Sequence, residues 1–159
     1  MTSRRKGIVA VVVRDADVLL VRRGPTVPSP GYWAPVAGSV EAGETEADAV
    51  RREVREEVGL DVRPVRRVWE SVSASGTHDL GWWIAVPTGG EMTLNPREVA
   101  ECLWCPAERY ATLEPTFPAD RRFFGSVFPG AWESLRVDGR LSGPGINAVG
   151  QDTASETDR

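Results

Sequence analysis

From Gly7 to Val13 the chain is apolar and rich in β-branched residues, which predicts a strand. Arg14 to Asp17 is turn-like and Val18 to Val21 is apolar again, so the two runs read as a hairpin. Gly24 to Gly31 carries three prolines and two glycines, which cannot hold a ladder, and reads as a loop. Tyr32 to Ala37 is a short extended piece. A helical pattern follows, then strands near Val65 to Ser73 and Leu80 to Val86. The turn Thr88-Gly89-Gly90 leads to a weak strand near Met92, and Val99 to Cys105 is a further strand. Pro106 to Leu113 reads as a short helix with proline in its first turn, and Ala119 to Val127 as another, with Pro118 just ahead. Strands and helices mix without a regular βαβ alternation, which predicts an α+β domain with a mixed sheet. From Asp138 the chain turns Gly-, Ser- and Thr-rich, so residues 1–137 are expected to form a single domain and 138–159 a flexible tail.

The helical segment predicts its own ends. Thr45 is a good N-cap with Asp48 three residues on, and Gly59 is the residue type favoured just past a helix end. Ala47, Val50, Val54 and Val58 recur at three- and four-residue steps as the buried stripe. Glu53, Glu56 and Glu57 follow the same steps and share an arc of about 100° beside that stripe. Arg51, Arg52 and Arg55 offset some of this charge, and most charge-rich helices are solvated surface helices. Yet like charges at this spacing repel, and they stand near the negative end of the helix dipole. A divalent cation relieves both penalties, and a set of hard oxygen ligands suits Mg²⁺ or Mn²⁺.

The residues from Gly38 to Leu60 resemble the signature of the Nudix hydrolase family. That signature is a Gly, five residues, Glu, seven residues, Arg-Glu, an aliphatic residue, any residue, Glu-Glu, any residue, Gly and an aliphatic residue. Gly38, Glu44, Arg52, Glu53, Val54, Glu56, Glu57, Gly59 and Leu60 stand in those places. The resemblance implies an α/β/α sandwich around a mixed sheet and cleavage of a P–O–P bridge in a nucleoside diphosphate linked to another group. It implies Glu53, Glu56 and Glu57 as ligands of Mg²⁺ or Mn²⁺. Arg52 would orient a glutamate, with Glu44 its partner, and Gly38 would shape the loop entering the helix, its carbonyl neighbourhood helping to hold metal. A further metal-binding or base glutamate is expected just before a Trp-containing strand, which makes Glu98 the first candidate and Glu101 its rival. The run WAPVAGSVEAGE is similar to members that include dihydroneopterin triphosphate pyrophosphatases, which favours a nucleoside or pterin triphosphate. A binding or regulatory domain of the same fold is the alternative. Such modules usually lose box glutamates, and all are present here.

Arg23, Tyr32 and Trp33 sit at the edges of the Pro-rich loop and are the candidate substrate contacts. Trp82 and Trp83 are adjacent in a strand and should face opposite ways. Cys102 and Cys105 form a CxxC, but three residues apart in a strand point to opposite faces. With one histidine and no second CxxC they read as reduced, buried thiols. The net charge of −4 gives no reason to expect bulk binding to nucleic acid or an anionic membrane, so phosphate binding calls for a cation. The basic start is followed by an apolar run broken at Arg14-Asp15, too soon for a signal peptide, so a cytoplasmic location is expected. The expected partner is a small-molecule phosphoanhydride, with no nucleic-acid polymer and no membrane; a homodimer stays open.

Overall fold

The computed structural model describes residues 3–141. The first strand, β1 (Arg5–Arg14), runs through the middle of the fold. Its alternate residues serve two cores: Ile8, Ala10 and Val12 join one apolar cluster, and Val9, Val11 and Val13 the other. That is why the run is continuously apolar instead of alternating. The strand β2 (Asp17–Arg23) pairs antiparallel with the last two residues of β1 across a tight turn in which Asp15 has a positive φ of 54°. Two short strands follow, β3 (Trp33–Ala34) against β2 and β4 (Val36–Ser39) against the first half of β1. The helix α1 (Glu46–Val58) comes next. A long hairpin, β5 (Leu60–Val72) and β6 (His78–Gly90), places β6 parallel to β1, so the sheet is mixed. The last strand, β7 (Val99–Pro106), pairs along β2.

One core lies between the sheet and α1 and holds Val50, Val54 and Val58. The other is aromatic, with Trp82 stacked on Phe123 at a 4.4 Å centroid distance, and is covered by the C-terminal helices. These are a 3₁₀ turn at Ala107–Thr112, α2 (Pro118–Arg122), a π-type turn at Phe123–Val127 and α3 (Phe128–Val137). The result is the expected three-layer α+β sandwich. No helix among the described residues is long and apolar enough to cross a membrane.

Four expectations need correction or extension. No strand forms at Met92, because β6 runs on to Gly90 and the next residues give their N–H groups to the end of α1. Thr93 donates to the Val58 carbonyl at 2.8 Å and Asn95 to the Glu57 carbonyl at 2.9 Å. On α1 the buried alanine is Ala49, not Ala47, since the helix packs on the faces carrying 49/53 and 50/54/58. The last helix does not end at Val127. Pro129 stands at the second position of α3, where its missing N–H costs nothing, so the helix continues to Val137. The expected tail begins with a return: Arg140 donates to the Leu135 carbonyl at 3.0 Å and Leu141 is buried in the aromatic core. Residues 142–159 lie outside the described residues. The two cysteines are free and divide between the cores as the pleat requires, Cys105 in the aromatic cluster and Cys102 against the other.

Candidate active site

The end of α1 is built by local chemistry. The Thr45 hydroxyl accepts from the Asp48 N–H at 3.1 Å and starts the helix. Gly59 closes it at φ 78°, donating to the Arg55 carbonyl at 3.0 Å. A Cβ on Gly59 would also stand 2.5 Å from the Glu91 carbonyl oxygen, so glycine is required both for the left-handed turn and for the approach of residues 91–93. That approach brings the next loop beneath the helix end. The Glu98 N–H donates to the Asn95 carbonyl at 3.1 Å, and the Asn95 N–H is already tied to Glu57.

Glu98 thereby joins Glu53 and Glu57, one carboxylate oxygen from each lying within 4.8 Å of the others. Gly38 forms the opposite wall, and a side chain there would run into the Glu53 carboxylate. Arg52 sets the geometry from the side. It grips both Glu44 oxygens, at 2.8 and 2.9 Å, as a bidentate pair, and donates to the Ser39 carbonyl at 2.8 Å and to Glu53 Oε1 at 2.9 Å. The Arg52 hydrogen bond holds the Glu44 carboxyl below the usual carboxylate range. Glu56 is exposed and leans toward Arg52 at 3.3 Å, outside the cluster. Glu101 points away, in an exposed pair with Arg22 at 2.8 Å.

The cluster is electrostatically unsatisfied. Glu57 Oε2 is buried with no hydrogen-bond partner. Burial pushes the Glu57 carboxyl up to about 9, with Glu53 and Glu98 pushing the same way. Burial also raises Glu53, against the pull of Arg52. Crowded, half-buried oxygen donors with one orphaned atom suit a hard divalent cation, which would offset their repulsion and use that atom. The residues present therefore fit Mg²⁺ or Mn²⁺.

The carboxylates face a cleft of about 740 Å³. Arg23 lines it, its Nε donating to the Pro28 carbonyl at 2.6 Å and its guanidinium 5.7 Å from the Phe117 ring centre. Tyr32 and Trp33 stand one layer back from the cleft. Tyr32 lies against Phe117 at 4.8 Å, and Trp33 is tied into β3, its carbonyl accepting from the Tyr110 hydroxyl at 2.8 Å. Phe117 lines the cleft with its ring. Asp120 lines it too, a buried carboxyl that accepts from Tyr110 at 3.2 Å and that burial pushes up to about 7. Neither Phe117 nor Asp120 is marked by spacing in the sequence; the one local signal is Pro118 opening a short helix between them. Trp82 and Trp83 do face opposite ways, Trp82 fully buried and Trp83 donating to Glu46 at 3.1 Å.

The described site can be set beside known proteins. A CTP pyrophosphohydrolase of Escherichia coli is 31% identical over 116 residues, covering 71% of this chain and 83% of its own length. A NAD-capped RNA hydrolase NudC of Deinococcus radiodurans is 35% identical over 125 residues, covering 79% of this chain and 42% of its own length. That of Stutzerimonas stutzeri is 38% identical over 95 residues, covering 59% of this chain and 34% of its own. The chain thus spans less than half the length of these NAD-capped RNA hydrolases. The fold matches the solution structure of the E. coli ORF135 protein with a TM-score of 0.63 at 24% identity, covering 86% of this chain and 94% of that one. A NUDIX hydrolase of Nitrosomonas europaea matches with 0.67 at 17%, covering 82% and 75%. The family model for the NUDIX domain matches residues 4–126, a span that takes in β1, the capped acidic helix and the Glu98 loop, and the chain belongs to that family.

Proposed function

We propose that this chain hydrolyses a phosphoanhydride bond in a nucleoside diphosphate-X substrate, using Mg²⁺ or Mn²⁺ held by Glu53, Glu57 and Glu98. The observation that carries this reading is the convergence of those three carboxylates around a buried, unpartnered Glu57 oxygen. Bound metal screens the diphosphate charge and makes water a better nucleophile. Arg52 keeps Glu53 aimed into the cluster and is itself held flat by Glu44. Glu56 stays outside this set, paired with Arg52, and Gly38 keeps the wall open for substrate and metal. The Glu98 carboxylate, on its pinned loop, accepts the proton of the attacking water as the P–O–P bridge breaks. Arg23 meets phosphate oxygens. Phe117, backed by Tyr32, offers a flat face to the base, a role closer to the cleft than Tyr32 or Trp33 can play.

A nucleoside or pterin triphosphate is the favoured substrate. The naming of the E. coli relative, which is matched over most of its own length, supports a nucleoside triphosphate. A product-resolved screen of nucleoside triphosphates, pterin triphosphate, nucleotide sugars and dinucleotides, each with Mg²⁺, Mn²⁺ or EDTA, tests this. Metal-dependent release of a monophosphate is the expected result. Tight nucleotide binding without product under every metal condition would replace the hydrolase with a binding module.

A further inference from the structure

Where β1 runs between β4 and β6 it carries a glycine. Gly7 pairs with Ser39 on one side and with Leu80 on the other. Register partners point to the same face, so Ser39, the bare Gly7 and Leu80 share it, and so does His78 two residues before Leu80. Over the bare glycine the Ser39 hydroxyl and His78 Nε2 meet at 3.0 Å. A Cβ at position 7 would lie 2.9 Å from Leu80 Cδ2, 3.0 Å from the Gly38 carbonyl oxygen and 3.5 Å from His78 Cδ2. A side chain there would crowd this bridge from β4 to β6.

The imidazole is held at both ends. Nδ1 lies 2.8 Å from the Thr77 hydroxyl, which is 2.7 Å from that of Ser75. Ser73 Oγ accepts from the N–H groups of Thr77 and His78 at 3.2 and 3.0 Å, tying the turn together. Turning the ring would break both of its contacts. On the other side, the Ser39 carbonyl accepts from Arg52 Nη2, and Arg52 Nη1 donates to Glu53. Among the described residues β4, four residues long, pairs in a ladder with β1 alone, so beyond that ladder Ser39 is held by Arg52 at its carbonyl and by His78 at its hydroxyl. Ser39, Thr77 and His78 line the same cleft as Glu53 and Glu57.

We propose that His78 is a positioning residue: through Ser39 it holds the end of β4 against Arg52, and so keeps Glu53 in the carboxylate cluster. The inference rests on the hydrolase reading above. Removal of partners that orient a metal-binding carboxylate lowers affinity or rate, and His78→Ala should lower kcat about tenfold with KM unchanged. The same variant should weaken Mn²⁺ binding to the substrate-free protein, read by titration calorimetry. His78→Gln should restore most of both, because its amide nitrogen can reach the place of Nε2 and donate to Ser39. Ser39→Ala should match His78→Ala, and the double variant should be no worse than either, since both remove one contact. A Gln variant as impaired as Ala, additive losses, a change in KM alone, or no change in kcat and Mn²⁺ binding would each overturn the assignment. If the unsubstituted protein turns over no substrate, the hydrolase reading falls, and the Mn²⁺ titrations still decide the role of His78.

Discussion

Glu98 and Glu101 are equally acidic and three residues apart, yet the fold places them differently. Glu98 is carried into the carboxylate cluster by a loop bonded to the end of α1, whereas Glu101 is on β7 with its side chain paired to Arg22 in solvent. Glu98→Gln should therefore cost on the order of a hundredfold in kcat, the scale of a lost general base, with KM little changed. Glu101→Gln should forfeit only an exposed ion pair, worth under about 1 kcal/mol, and leave kcat near normal. Rates at saturating Mg²⁺ separate the two, and a large loss confined to Glu101→Gln would move the role there. The family resemblance ranks Glu98 ahead of Glu101, and the fold puts Glu98, not Glu101, beside Glu53 and Glu57. Asp120 was not legible, because its burial comes from Tyr110 and the helices packed around it, contacts that no local spacing reveals. Its folded carboxyl is pushed up to about 7, above the unfolded value near 4, so the folded chain binds the extra proton between those values. Stability must then fall as pH rises through that window, by up to about 4 kcal/mol in order of magnitude. Asp120→Asn cannot ionise, so urea unfolding in EDTA at pH 5 and pH 8 should show a shallower decline than the unsubstituted chain. Glu57 adds a slope of the same sign to both proteins, so the difference between them is the measurement. Equal slopes would mean that Asp120 is not a buried acid.

At the scale of elements, α1 was readable because everything that defines it is local: a threonine cap, a stripe of valines and a terminal glycine. What the local pattern could not show is that its two ends do different jobs. The Thr45 cap bonds only within its own turn, so Thr45→Ala should cost about 1 kcal/mol of stability and leave kcat nearly intact. Gly59 holds a left-handed conformation and also admits residues 91–93, whose backbone satisfies the helix carbonyls and leads to Glu98. A Cβ there meets both restrictions. Gly59→Ala should cost roughly 1–3 kcal/mol and also reduce kcat. Denaturant melts beside kinetics check the contrast; normal kcat in a destabilised Gly59→Ala would show that the 91–98 loop does not depend on the cap. The same long-range pairing explains why a strand was expected at Met92 and none formed. The N–H groups of Thr93 and Asn95 serve to finish a helix distant in sequence and not a ladder. The helix α3 was hidden for the opposite reason, since Pro129 and Gly130 look like breakers until Pro129 is seen to occupy a first-turn position.

Across the whole molecule, one sheet separates two apolar cores, and the carboxylates gather where α1, β4 and the loop before β7 meet at its edge. The strand order of that sheet could not be read from periodicity, because parallel pairing of β1 with β6 joins residues far apart in sequence. A cation bound at Glu53, Glu57 and Glu98 would tie the end of α1 to the loop before β7, two segments far apart in sequence, and its binding energy would add to folding. Stabilisation follows the ratio of free metal to Kd and reaches about 2.7 kcal/mol at a hundredfold excess. Glu57 without metal is a buried carboxyl held near 9, which carries its proton at neutral pH, and a glutamine resembles that neutral form in size and polarity. Glu57→Gln should therefore melt in EDTA at the same temperature as the unsubstituted chain or above it. In Mn²⁺ the order should reverse, because the amide is a poor replacement for a charged ligand and most of the metal-induced rise in Tm should disappear along with turnover. Paired melts in EDTA and Mn²⁺ give the sign directly. A variant that loses stability in EDTA but keeps the full Mn²⁺ shift would make Glu57 a packing residue and remove it from the metal site.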